Sequence, residues 1–212
     1  MTRSALVCFA LCCALWPTVA TALTTADRIL VCTNKACRKA GSHDTLRLLR
    51  GLASTAAVSA DATSQIDSCG CLGGCGMGPN VAAEASGEVF KDVYKPKSAS
   101  ALLEAVLGLT VAEEAVKASV HRMYAERAMR ANKLDEALGL LTTALNTAGT
   151  LRLQGAVLLA ELLHLRADVH TRKGDRDAAA ADRERAEGLL LRRRVEVACA
   201  DGLEVEGCEV ES

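Results

Sequence analysis

Four cysteines, Cys32, Cys37, Cys71 and Cys75, form a C-x4-C pair and a C-x3-C pair within "VCTNKACRK" and "CGCLGGCGMGPNV". Thiolate sulfur forms disulfides, holds zinc and carries iron–sulfur clusters, so ligand type by itself leaves three chemistries open. Spacing narrows them. Structural zinc sites often use two C-x2-C knuckles; neither pair has that form, and His43 is the only histidine before residue 120. A thioredoxin-type dithiol calls for C-x-x-C after the first strand, and this too is absent. Cys69, two residues before Cys71, competes with it as a ligand or pairs with it as a C-x-C dithiol. That spacing is poor for catalysis, and the C-x3-C interval favours Cys71. Glycines at 70, 73, 74, 76 and 78 surround the second pair. An ordinary flexible loop accounts for the glycines but not for the thiols among them.

The elements that must position these thiols lie between Arg28 and about Leu109. "RILVC" reads as a buried strand ending at Cys32. "SHDTLRLLRGLASTAA" follows as a helix, with Ser42 or Asp44 as its cap and Leu46, Leu48, Leu49 and Leu52 on one side. "TSQIDSC" suits a second strand ahead of the glycine loop. "NVAAE" and "EVFKDVY" flank "ASG" as a hairpin turning at Gly87. "SASALLEAVLGL" closes the region as a helix from near Ser98. The order β-α-β-β-β-α is that of a small sheet-and-helix sandwich.

Val111 to about Leu191 is helical in pattern and contains no proline. "AERAMRANKLDEALGLLTTAL" from Ala125 resembles "ADVHTRKGDRDAAAADRERAE" from Ala167 at an offset of 42 residues. Ala125 then falls over Ala167, Leu134 over Arg176, Ala137 over Ala179 and Ala144 over Ala186. This resembles the tetratricopeptide repeat, in which small residues let paired helices approach closely. The resemblance implies a surface for protein contacts. The usual period is shorter, so "NTAGTLRLQG" would be a lengthened connection, and the usual aromatics are largely missing. A generic pair of helical hairpins is the other reading.

The whole-chain totals fit an α+β region followed by helices. Half of the 212 residues are hydrophobic, with Ala and Leu dominant and only one Trp, two Tyr and two Phe, a composition suited to close-packed helices. A formal net charge of −1 gives no reason to expect nucleic acid or an acidic membrane as partner. Arg3, the apolar run "ALVCFALCCALW", Pro17 and the small residues "ATA" read as a secretory-type signal peptide over 1–22. The apolar run is short for a membrane span, so stable insertion is not expected after cleavage. Residues 195–212 carry six acidic side chains and no basic one, and read as a disordered acidic tail.

Taken together, "VCTNKACRK", "CGCLGGCGMGPNV", the hairpin and the final helix resemble the thioredoxin-like [2Fe-2S] ferredoxins, the family that includes the thioredoxin-fold subunit of respiratory complex I. The resemblance covers roughly 27–109. It implies a thioredoxin-like domain there, ahead of a tetratricopeptide-like domain over 111–191. It also implies a [2Fe-2S] cluster held by Cys32, Cys37, Cys71 and Cys75, two thiolates to each iron. The glycine-loop amides would then stabilise the negative cluster. The expected function is a one-electron carrier or redox sensor, more a non-enzymatic electron-transfer protein than an enzyme, docked to a redox partner protein by its helices. The alternative is an interaction module whose cysteine region is structural, holding zinc or disulfides. A third reading is an oxidoreductase using Cys69 and Cys71. No catalytic Ser-His-Asp order, phosphate loop or acid pair stands out. A secretory leader combined with a need for cluster assembly points to a secondary plastid; secretion or the reticulum lumen is the alternative.

Overall fold

The computed structural model describes residues 27–56 and 61–200. The leader over 1–22 and the tail beyond residue 200 lie outside them. The chain builds an α+β region carrying a four-stranded sheet, followed by a packed all-α bundle.

β1 (Ile29–Cys32) buries Ile29, Val31 and Cys32 and leaves Leu30 half-buried, because "ILVC" offers apolar side chains to both faces. It pairs in parallel with β2 (Ile66–Cys69) and antiparallel with β3 (Val81–Ala83). β3 in turn pairs with β4 (Val89–Phe90), giving the order β2-β1-β3-β4. A parallel β1–β2 pair needs a crossover connection. α1 (Lys35–Lys39), α2 (Ser42–Ala56) and the short α3 (Asp61–Ser64) supply it. The hairpin turns at Gly87, whose φ of +67° suits a residue without Cβ. α4 (Pro96–Leu107) begins two residues before the expected Ser98, with Pro96 in its first turn, where a missing N–H costs nothing. It stops at Gly108, a left-handed cap whose N–H bonds the Glu104 carbonyl.

Four longer helices follow: α5 (Glu113–Arg130), α6 (Leu134–Ala148), α7 (Ala156–Lys173) and α8 (Arg176–Ala200). A 3-10 segment over Gly149–Gly155 forms the lengthened connection between α6 and α7. The 42-residue offset recurs in detail. Leu134 and Arg176 are the first residues of α6 and α8. Asn132 and Gly174 are the left-handed residues of the two turns, with φ of +57° and +86°. The Asn132 N–H bonds the Met129 carbonyl as the Gly174 N–H bonds that of Thr171. Ala125, Ala137, Ala144, Ala167, Ala179 and Ala186 are all buried at the seams. The bundle is thus a generic helical repeat of two hairpins. α8 runs past the expected end at Leu191 into the first residues of the acidic segment.

One hydrophobic cluster runs from Ile29, Val31 and Leu49 in the sheet region to Leu141, Leu162 and Ala186 in the bundle. α2 is the shared element, in contact with β1 and β2 of the sheet and with α4, α5 and α7. Gly51 faces the ion pair joining α5 to α7: Arg122 Nη1 donates to Glu161 Oε2 at 2.5 Å while its Nε donates to Glu126 Oε1 at 3.1 Å. Arg166 grips Asp182 across the second hairpin through two hydrogen bonds of 2.7 and 2.5 Å. The Asp182 side chain is 9% exposed, whereas Arg28 and Asp67 form their pair at 44% and 46% exposure. Burial decides what each pair contributes. Asp182→Ala strands a guanidinium in the seam and is expected to cost about 3 kcal/mol, while Asp67→Ala costs less than about 1 kcal/mol. Urea unfolding of the two variants measures the contrast.

Candidate functional site

The sheet register brings the two cysteine segments together. Cys32 and Cys69 are register partners across β1 and β2. The Cys32 N–H donates to the Asn80 carbonyl at 3.0 Å, and the Thr33 N–H to that of Cys69 at 3.0 Å. After β1 the chain turns into α1, whose first N–H is accepted by the Asn34 side chain at 2.6 Å. This turn places Cys37 inward, and Cys32 and Cys37 are both buried.

The glycine loop closes over them from the other side. Gly73, Gly74 and Gly76 have φ of +79°, +61° and +98°, angles that L side chains rarely adopt. Asn80, itself buried, donates its side-chain amide to the carbonyls of Gly73 at 2.7 Å and Gly74 at 3.3 Å. Gly78 lies against Cys37, so that a Cβ there would sit 2.7 Å from Cys37 Sγ. On the outer side Cys71 Sγ and Cys75 Sγ are 3.5 Å apart and exposed. Cys69 stands aside, half-buried, its thiol donating to the Gly70 carbonyl at 3.4 Å.

The electrostatics follow from these contacts. Burial pushes the Cys32 thiol up, but hydrogen bonds from the backbone of Asn34 and Leu72, joined by the thiols of Cys37 and Cys71, carry it below its ordinary value. The Cys75 thiol is held above its ordinary value by the hydrogen bond and like charge of Cys71. Cys37 is also raised. The Asn80 backbone hydrogen bond favours its thiolate, but desolvation and the neighbouring Cys32 outweigh it. Cys69 is raised chiefly by desolvation.

Spacing led to the expectation of four cysteines facing one centre. A metal centre needs three or more donors facing one point. Among the described residues no group of three or more His, Cys, Asp or Glu side chains is arranged to hold a metal ion. Cys71 and Cys75 are in contact at the surface, while Cys32 and Cys37 are buried. The expected [2Fe-2S] cluster on Cys32, Cys37, Cys71 and Cys75 is therefore corrected. With it go the electron-carrier or cluster-sensor function, the ferredoxin resemblance and the zinc alternative. The structural-disulfide alternative is corrected as well, because Cys32, Cys37, Cys69, Cys71 and Cys75 are all free thiols. Cys69 Sγ donates to the Gly70 carbonyl, while Cys71 Sγ lies 3.5 Å from Cys75 Sγ. His43 and His164 are exposed, and His170 faces Asp175 at 3.5 Å, away from the thiols.

No family model, no curated protein and no solved structure matches the chain. The tetratricopeptide identity expected for the helices accordingly gives way to the generic repeat described above. Among the described residues no helix is long and apolar enough to cross a membrane.

Sequence reasoning missed Asn80, the residue that ties the loop shut; its place directly after Gly78-Pro79 was the available signal. Gly78→Ala is expected to force its methyl against Cys37 Sγ and to destabilise the fold by about 1–3 kcal/mol, read from the midpoint of urea unfolding.

Proposed function

We propose that this protein is a thiol–disulfide exchange protein whose working pair is Cys71 and Cys75, with the helical bundle as the surface that contacts protein partners. One observation carries the reading: two exposed thiols stand 3.5 Å apart on a loop fastened from beneath by Asn80. A disulfide needs sulfurs brought from contact to bonding distance with little backbone movement, and the spacing supports that closure.

In this scheme Cys71 is the attacking sulfur and Cys75, whose thiol the neighbouring Cys71 holds above its ordinary value, is the resolving one. Its thiolate attacks one sulfur of a partner's disulfide, forming a mixed disulfide and releasing the partner's other sulfur as a thiolate. Cys75 then gives up its proton to solvent and attacks Cys71 Sγ. The mixed bond breaks and the second partner sulfur leaves. Two electrons have passed to the partner, whose disulfide becomes two thiols, while Cys71 and Cys75 become a disulfide. The reverse sequence oxidises a partner dithiol.

The partner in this scheme is a protein, and the bundle supplies candidate contacts. Tyr124 is 48% exposed on α5, with the Arg127 guanidinium 5.7 Å from its ring centroid. Tyr and Arg are side chains that often dominate interface energies.

Equilibration in a glutathione redox buffer followed by alkylation and peptide mapping tests the pair. The expected product is a Cys71–Cys75 disulfide, with Cys75→Ser accumulating a glutathione adduct on Cys71 and Cys71→Ser accumulating none on Cys75. If Cys71 and Cys75 remain alkylated thiols across the whole buffer range, the reading fails.

The secretory-type leader over 1–22 supports delivery to the secretory route. Without a cluster to assemble, the case for a secondary plastid loses its chemical motive, and a reticulum lumen rich in disulfides becomes the better destination. A fluorescent protein fused to the full chain is expected in the reticulum or the medium; plastid fluorescence would restore the other address.

A further inference from the structure

We infer that the rim of the thiol pair recognises an acidic polypeptide segment, so that the disulfide offered to Cys71 and Cys75 is one bordered by Asp or Glu in a partner protein. This rests on the exchange reading above and adds the chemistry of the partner. Charge along the chain is the first observation. Between Cys32 and His43 stand Lys35, Arg38 and Lys39 and no carboxylate, and between Cys69 and Asn80 there is no charge of either sign. All three cations are exposed on α1. The fold sets α1 against the thiol loop: a Cβ on Gly78 would lie 2.7 Å from Cys37 Sγ and 3.5 Å from Cys37 Cα. Lys91, just after β4, reaches the same loop, its Nζ 4.0 Å from Met77 Sδ. The Met77 N–H bonds the Gly74 carbonyl at 3.2 Å, closing a turn that contains Cys75.

These cations are left unanswered. Among the described residues Lys35, Arg38, Lys39 and Lys91 form no ion pair, whereas the exposed Arg28, Arg50 and Lys117 each face a carboxylate. The carboxylates next to them in sequence are Asp44, which faces Arg47 at 3.8 Å, and the exposed Asp92 beside Lys91. Asp92 offsets one of the four charges and leaves the rim positive. Fixed charge of one sign around an uncharged loop gathers ligands of the opposite sign and speeds their encounter. It also disfavours disulfides flanked by Lys or Arg, and repulsion of the wrong partner is half of specificity. A polypeptide fits this surface because the thiols need a disulfide to attack. Met77, 58% exposed on the loop, adds a flexible apolar contact that adapts to varied side chains.

The test mixes the reduced full chain, at low and at high salt, with synthetic peptides closed by a single disulfide and differing only in having glutamates or lysines beside the cysteines. Alkylation and peptide mapping read the rate at which the Cys71–Cys75 disulfide forms. Fluorescence anisotropy of labelled peptides with serine in place of cysteine reads binding without exchange. The glutamate peptide is expected to oxidise the pair about tenfold faster at low salt, an advantage that shrinks at high salt as the charges are screened. Lys35→Gln, Arg38→Gln and Lys39→Gln, made together at exposed positions, are expected to remove most of that advantage and to leave the lysine peptide no slower. If the triple variant keeps the full preference, or if the lysine peptide exchanges as fast in the unaltered chain, the acidic-partner proposal is wrong and the exchange reading survives. If the glutamate peptide binds in preference but no disulfide forms, the exchange reading falls and the docking surface stands. If a single-stranded RNA binds and the glutamate peptide does not, the rim serves nucleic acid and the proposal is wrong. If the peptides neither bind nor exchange, both readings fall.

Discussion

The grip of Asn80 on the glycine loop is the constraint on which the thiol site depends. This residue accepts the Cys32 N–H through its carbonyl and donates its side-chain amide to Gly73 and Gly74. One buried residue thereby joins the end of β1, through its backbone, to the loop that carries Cys71 and Cys75, through its side chain. Three glycines with positive φ give that loop many shapes in the unfolded chain, and ordering it carries a corresponding entropic cost. The two amide hydrogen bonds, made away from water, select one shape from the many. Spacing between cysteines would mean little without them.

A second level of constraint comes from the shared helix. α2 touches both the sheet and the bundle, and it uses Gly51 where the Arg122–Glu161 pair passes. A glycine inside a helix weakens it by roughly 0.5–1 kcal/mol relative to alanine. Here it lies beside the half-buried ionic contact between α5 and α7, at the point where the two regions touch. Apolar packing and this charged cluster therefore act on the same contact, the one that connects site to bundle.

Much of the architecture was legible in the chain, for reasons that differ by element. The strand "ILVC", the leucine face of α2 and the turn at Gly87 follow from local patterning. The hairpins were visible because their turns and alanine seams recur at one offset, down to the left-handed Asn132 and Gly174. α1 was missed because five residues are too few to show a period, although Asn34 is a recognisable cap. The extension of α8 to Ala200 is hidden in the sequence because acidic composition suits a disordered tail and equally a helix end with charge on its solvent side. At the site, the β1–β2 register sets the two cysteine segments beside each other. Whether they face one centre or meet in pairs is decided by side-chain directions, and linear spacing does not encode those.

The last helix reaches back to the first long one. Arg193, on α8, donates to the Ser54 carbonyl near the end of α2 at 3.4 Å, across a separation of 139 residues. A ribosome adding 5–20 residues per second leaves an interval on the order of 10 s between the two partners. Throughout that time the nascent sheet region must wait with one flank of α2 uncovered and its thiols already made. During synthesis, then, the chain is most exposed to chaperone capture, before its own carboxyl-terminal half can cover that flank of α2.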